Sequence, residues 1–237
     1  MSKIVREENA KAFETVYGGG WDKKYPSIDL VRLENWYFKK VPGLSLDYGC
    51  GPGTNGLHLL DSGYEVLFTD VARKALKKVE EKLQLRSDEV RGRATVRPVD
   101  LSADSLPDSD QIYDYIVCMS VLGNLEGPKS ILYLLEEFFR IIRPGGKMIV
   151  DINAEDTSYV HDASDKVADG TYKTLPRKGF ETEEVQMYFP ESSLAFVNMI
   201  KKAGFVVDDV GHSSFGYFGH QDHEFIICAR KPDCSIA

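Results

Sequence analysis

The stretch Leu44-Ser45-Leu46-Asp47-Tyr48-Gly49-Cys50-Gly51-Pro52-Gly53-Thr54-Asn55-Gly56 constrains this chain more than any other. A short apolar run ends in an acid, a glycine-rich turn follows, and helical spacing begins beyond it. Strand, tight turn and helix in that order make the nucleotide site of a doubly wound α/β sheet, at the carboxyl ends of its strands. Each glycine removes a Cβ where backbone must approach a ligand or take a positive φ. Gly51-Pro52-Gly53-Thr54-Asn55-Gly56 satisfies the GxGxxG dinucleotide pattern. Taken one step earlier, the same residues read Asp47-x-Gly49-x-Gly51-x-Gly53, with the acid inside the motif. The chain on either side has to separate these two readings.

Upstream, Ile4, Val5, Phe13, Val16 and Tyr17 recur among charges over residues 4–17, the pattern of an amphipathic helix. Gly18-Gly19-Gly20 breaks it. Ser27 can cap a second helix to about Lys40, with Asp29 in its first turn. Residues 1–40 then read in two ways. They are a helical lid hinged at the triple glycine, with Trp21, Tyr25 or Arg32 facing a ligand, or a helical hairpin packed on the sheet edge with its aromatics in the core.

Downstream, strands and helices alternate. Leu57, Leu59 and Leu60 carry the first helix to Gly63, and Tyr64–Asp70 is a second strand ending in an acid. Ala72, Ala75, Leu76, Val79 and Leu83 give a helix over 72–85, whose interleaved Lys, Arg and Glu make a solvated face. Ala94–Asp100 is a third strand ending in an acid, and Ile112–Met119 a fourth, apolar enough to be buried on both faces. Pro128 opens a long apolar helix to Arg143, Pro144-Gly145-Gly146 turns the chain, and Lys147–Ile152 is strand five. Residues 153–189 are polar with scattered aromatics. They read as an insertion over the site, with Thr171–Leu175 and Val185–Phe189 paired as strands, because a structureless loop of that length is unusual. A helix from Pro190 ends at Gly204. Phe205–Val210 and Glu224–Arg230 then form an antiparallel pair joined by a loop of about a dozen residues.

Bulk properties set the outer limits. The 237 residues, 43% hydrophobic and 28% charged, suit one α/β domain with a sizeable core. A net charge of −8 disfavours sequence-independent nucleic-acid binding, which needs a basic field. No run approaches the roughly 20 apolar residues of a membrane span, and the first residues lack a signal peptide's apolar core. A cytoplasmic protein without a membrane partner is the expectation. Cys50, Cys118, Cys228 and Cys234 form no CxxC pair, so reduced, mostly buried thiols are expected and no metal site.

Three acids, Asp47, Asp70 and Asp100, each end a strand, where ligands bind in open α/β sheets. Asp70, close to 20 residues past the glycines, is placed for a ribose in either reading. The Leu46–Gly53 stretch, Phe68-Thr69-Asp70, Val99-Asp100-Leu101, Tyr113–Cys118 and Arg143-Pro144-Gly145-Gly146-Lys147, in that order, resemble the class I S-adenosylmethionine-dependent methyltransferases of small-molecule type. The resemblance covers roughly residues 27–231. It implies a Rossmann-like seven-stranded sheet, mostly parallel with an antiparallel C-terminal hairpin, in a single domain over 1–237. An NAD-binding domain would instead have a sixth parallel strand and usually a separate catalytic domain.

By the same resemblance, S-adenosylmethionine is the cofactor. Gly49, Gly51 and Gly53 line it and Asp70 holds its ribose. Asp100 and Leu101 bracket the adenine, and Met119 and Ser120 lie near the methionine moiety. Tyr25, Arg32, Asp47, Cys50, Asn55 and Val71 complete the cofactor set. The plain alternatives are turn caps for Asp47 and Asp70, an Asx turn for Asp100 and core packing for Met119. No compact catalytic motif is present, because methyl transfer needs alignment more than acid–base chemistry. Base candidates are His212, His220 and His223, with Asn124, Tyr159, Tyr172, Tyr217 and Phe218 as acceptor contacts. The same histidines can equally be surface or hydrogen-bonded loop residues. Metal is not expected, since Asp151 and Asn153 are split by Ile152. The activity implied is methyl transfer to N or O of a small molecule. Alternatives are a protein or tRNA acceptor, an NAD-dependent reductase, or a non-catalytic nucleotide-binding module.

Overall fold

A computed structural model of the chain describes residues 7–177 and 179–233. Ile4 and Val5 of the first expected helix, and Cys234, lie outside the described residues. The helix α1 spans Glu7–Gly18, and α2 spans Ile28–Leu33 and continues through a wider helical turn, Glu34–Phe38. The alternating body follows: β1 (Leu44–Tyr48), α3 (Thr54–Asp61), β2 (Glu65–Asp70), α4 (Arg73–Leu83), a single-turn α5 (Asp88–Arg91), β3 (Ala94–Pro98), β4 (Tyr113–Cys118), α6 (Pro128–Ile141) and β5 (Ile142–Asn153). The insertion holds α7 (Ser158–His161), β6 (Asp165–Ala168), β7 (Thr171–Thr174) and β8 (Val185–Tyr188). Then come α8 (Ser193–Lys202), β9 (Val206–Tyr217) and β10 (His220–Arg230).

Seven strands form one sheet in the order β3-β2-β1-β4-β5-β10-β9. The first five are parallel, and β10 runs antiparallel to both β5 and β9. One face is covered by α6 and α8, whose Leu134, Phe138, Phe196 and Ile200 are fully buried. The other carries Leu59, Leu60, Phe68 and Val79 from α3, β2 and α4, with Leu30 and Phe38 from the N-terminal segment. Each such side chain contributes about 1.5–3 kcal/mol of burial, so the sheet is a stiff platform for the loops at its ends.

Two parts differ from the sequence reading. The expected dozen-residue loop between the last two strands does not exist. Both strands run on into a ribbon, closed by a two-residue turn in which Phe218 (φ 53) and Gly219 (φ 76) are left-handed. Two left-handed residues make the turn whose twist matches paired strands. His212, His220 and His223 are therefore strand residues rather than loop residues. The insertion pairs β7 with β8 as expected, Thr171 opposite Tyr188 to Thr174 opposite Val185, but adds β6 as a third strand. The described cysteines, Cys50, Cys118 and Cys228, are buried free thiols.

Candidate active site

The glycine turn is built by alternation. Gly49 (φ 67), Gly51 (φ 53) and Gly53 (φ 80) are all left-handed. A Cβ on Gly49 would stand 2.3 Å from Val121 Cγ2, so this position admits no side chain. The amides of Gly49 and Cys50 both donate to Thr69 O, at 2.8 and 3.0 Å, which ties the turn to the end of β2.

Two acids brace the same turn. Asp47, 2% exposed, accepts from Gly56 N at 2.8 Å and holds the first turn of α3. Asp70, 5% exposed, accepts from Gly51 N through Oδ2 and from Ala72 N through Oδ1, each at 2.8 Å. Burial pushes both carboxyls up, Asp47 to about 7 and Asp70 to about 6, against the pull of these backbone amides.

Three adjoining cavities follow the carboxyl ends of the strands. The first, about 240 Å³, lies against Tyr48, Thr69, Val99, Asp100 and Leu101. The second, smaller, shares Tyr48 and Val99 with it and is lined by Gly49, Asp70, Val71, Ser120 and Asn124. The third, about 390 Å³, shares Gly49, Ser120 and Asn124 with the second and takes in Cys50, Gly51, Asn55 and Met119. Helix α1 roofs the last two through Phe13 and Tyr17. It is fastened there by Asn9 Nδ2, which donates to Asn124 O at 2.7 Å and Gln186 O at 3.1 Å.

The far end of the third cavity is acidic. In the β5–β10 register Glu224 faces Asn153 and Ile226 faces Asp151, so these side chains and Asp222 share one face of the sheet. Asn153 Nδ2 donates to Asp222 Oδ1 at 2.8 Å, and Ser120 N to Asp151 Oδ1 at 2.5 Å. Burial first, and repulsion from neighbouring carboxylates after it, push Glu224 up to about 9 and Asp151 to about 7; burial also raises Asp222. Trp21, Tyr159 and Phe215 add aromatic wall, and Lys23 and Arg177 also border the space. Arg177 lies over the Trp21 ring, 4.7 Å from its centroid.

The structure thus brings Gly49, Cys50, Gly51, Asn55, Asp70, Val71, Met119, Ser120 and Asn124 to one connected cleft, with Asp100 and Leu101 at its first cavity. Asp100 is exposed and holds an Asx turn, accepting from Ser102 N and Oγ, which lowers its carboxyl. Asp47 and Gly53 stand behind the lining. A Cβ on Gly53 would meet Val79, so that glycine serves helix packing.

Tyr25 and Arg32 are placed elsewhere. Tyr25 is 78% exposed, and Arg32 pairs with Asp29 on the outer side of α2. His212 and His223 lie 3.4 Å apart beside Phe225, on the sheet face opposite Glu224, and so point away from the cleft. His220 shares the cleft face but sits farther out on the ribbon, its ring 5.8 Å from Phe215. Among the acceptor contacts Asn124 and Tyr159 line the third cavity, whereas Tyr172, Tyr217 and Phe218 do not. Asp222, Glu224 and Asn9 were not visible as site residues. The one usable signal was the even-numbered alternation Asp222, Glu224, Ile226, Cys228, polar at one strand end and apolar beyond.

Among known proteins, a family described as a methyltransferase domain matches residues 46–148. A ubiquinone biosynthesis O-methyltransferase of Aeromonas salmonicida is 26% identical over 163 residues, 62% of this chain and 63% of that protein. A tRNA N(3)-methylcytidine methyltransferase of Drosophila melanogaster is 27% identical over 168 residues, 62% of this chain and 50% of that protein. The chain thus spans less than two thirds of the length of these relatives. A crystal structure of the 1,6-didemethyltoxoflavin-N1-methyltransferase of Burkholderia thailandensis, holding S-adenosylhomocysteine, superposes with a TM-score of 0.66 at 19% identity, over 94% of this chain and 87% of that one. Residues 46–148 thus match a methyltransferase domain, and the seven-stranded sheet has the fold of S-adenosylmethionine-dependent methyltransferases.

Proposed function

We propose that this chain transfers the methyl group of S-adenosylmethionine to a nitrogen or oxygen of a small molecule. The observation that carries the reading is the connected cleft: a glycine turn at one end, a cavity of about 390 Å³ at the other, and α1 as a roof over both. That volume is within the range of small-molecule sites. The O-methyltransferase relative and the toxoflavin N-methyltransferase neighbour support it. The tRNA-acting relative favours a macromolecule, but the net charge of −8 and the acidic cavity end oppose a polyanion.

The residues fit the cofactor. Tyr48 Oη and the amide oxygen of Asn9 are buried without partners on the cleft wall, which leaves polar atoms for a polar ligand. Gly49 and Gly51 would form the floor, with Asp70 against the ribose; a carboxylate that already takes two amides keeps acceptor capacity. Asp100 and Leu101 would flank the base, and Met119 and Ser120 the methionyl end. The bound cofactor supplies a methyl group already activated by its sulfonium. The chain's part is to align the acceptor, exclude water and supply carboxylates near developing positive charge. Helix α1 acts as a lid hinged at Gly18–Gly20, opening to admit both ligands.

Incubation with methyl-labelled S-adenosylmethionine and a cell extract tests the reading. Label is expected in the dialysable fraction. Label confined to tRNA or protein would overturn the small-molecule acceptor, and no S-adenosylhomocysteine formation would overturn the activity.

A further inference from the structure

The acceptor end of the cleft has a sign. Asp222 and Glu224 line it, Asp151 lies buried behind Ser120 one strand over, and Asp29 stands on its rim. Asp222 is held by Asn153, while the Glu224 carboxyl makes no hydrogen bond to the described residues. Two cations, Lys23 and Arg177, border the same space. Arg177 lies over the Trp21 ring and also acts on Asp222, and Lys23, though exposed, acts on Glu224 and Asp151. The four acids therefore outnumber the two cations around this space.

A second observation points to a ligand that donates. Asn124 borders both the second and third cavities, and its Oδ1 is buried without a donor. An amide oxygen only accepts.

Resting on the methyltransferase reading, we infer that the acceptor is a basic amine on an apolar ring-sized body. Its nitrogen meets Asp222 and Glu224, and its body meets Trp21, Tyr159 and Phe215. An acceptor that binds as a phenolate or carboxylate keeps these acids protonated and gains no ion pair from them. One that binds as, or becomes, a cation draws Glu224 and Asp151 toward their ionised forms, which offsets the burial that raises them. Aromatic rings beside a cation add attraction of their own.

The test is calorimetric binding to the full chain of three probes of one shape: phenethylamine, phenethyl alcohol and phenylacetate. Each is titrated with and without saturating S-adenosylhomocysteine. Phenethylamine is expected to bind about tenfold more tightly than phenylacetate, with the alcohol between. Asp222→Asn with Glu224→Gln removes that preference while S-adenosylhomocysteine affinity stays within about twofold; Glu224→Gln alone serves if the double variant fails to fold. Equal or tighter phenylacetate binding, no measurable amine binding, or a preference that survives the substitutions overturns the proposal. An amine preference without any S-adenosylhomocysteine binding keeps it and overturns the methyltransferase reading instead.

Discussion

The two ends of the cleft are made differently. The glycine end comes from short contiguous segments: Asp47 to Gly56 in one turn, and Asp70 at the tip of the neighbouring strand. Its parts are fixed by backbone geometry and tolerate little change. The acidic end is assembled from pieces far apart in sequence, Trp21 and Lys23, Asp151 and Asn153, Arg177, and Asp222 and Glu224, brought together by strand register. One end is set by turn chemistry and the other by topology. Substitutions should therefore act on stability and cofactor at the first end, and on the acceptor at the second.

The largest expected effect is at the turn. Gly49→Ala places a Cβ 2.3 Å from Val121 in a left-handed backbone, and is expected to cost about 2–4 kcal/mol of stability, read from urea unfolding. Next, Asp70→Ala removes an acceptor for Gly51 N and Ala72 N and for the proposed ribose contact. It is expected to weaken S-adenosylhomocysteine by at least about tenfold, about 1.5–3 kcal/mol, and an unchanged dissociation constant refutes the role.

Both ends share a pH dependence. A carboxyl whose folded pKa is raised keeps its proton in the folded chain at a pH where the unfolded chain has lost it. Stability from such a group is present at low pH and lost as pH rises from the unfolded value through the folded one. For Asp47 and Asp151, near 7, and Asp70, near 6, that window lies between about 4 and 7, and Glu224 extends it to about 9. The ligand-free chain should lose about 1–3 kcal/mol between pH 5.5 and 8, and less with S-adenosylmethionine bound, because its cationic groups favour the ionised acids. A melting temperature flat or rising over that range contradicts the assigned environments. The smallest effect is expected from His212→Ala and His223→Ala. Their rings face away from the cleft, so cofactor affinity and turnover should stay within about threefold of the parent; a larger loss would return them to the chemistry.

The same contrast explains what was legible in the sequence. The five parallel strands and the glycine turn follow from apolar runs, acids and breakers a few residues apart. The strands of the C-terminal pair were legible too, but not their length. His212 to His223 looks like a polar loop until the Phe218–Gly219 turn shows the strands continuing through it. That extension reverses which residues face the cleft. It turns Asp222 and Glu224 inward and His212 and His223 outward, a parity that no composition reveals. Tyr25 and Arg32 were misplaced for a related reason: α2 buries Leu30 and leaves Arg32 on the outer side, and Tyr25 stands exposed in the bend before it.

The central claim is that the glycine end is a site for S-adenosylmethionine. Calorimetric titration of the chain with S-adenosylhomocysteine, and separately with NADH, tests it most directly. One site of about micromolar affinity or tighter for S-adenosylhomocysteine, with no heat from NADH, is the expected result. Binding of NADH without S-adenosylhomocysteine would contradict it.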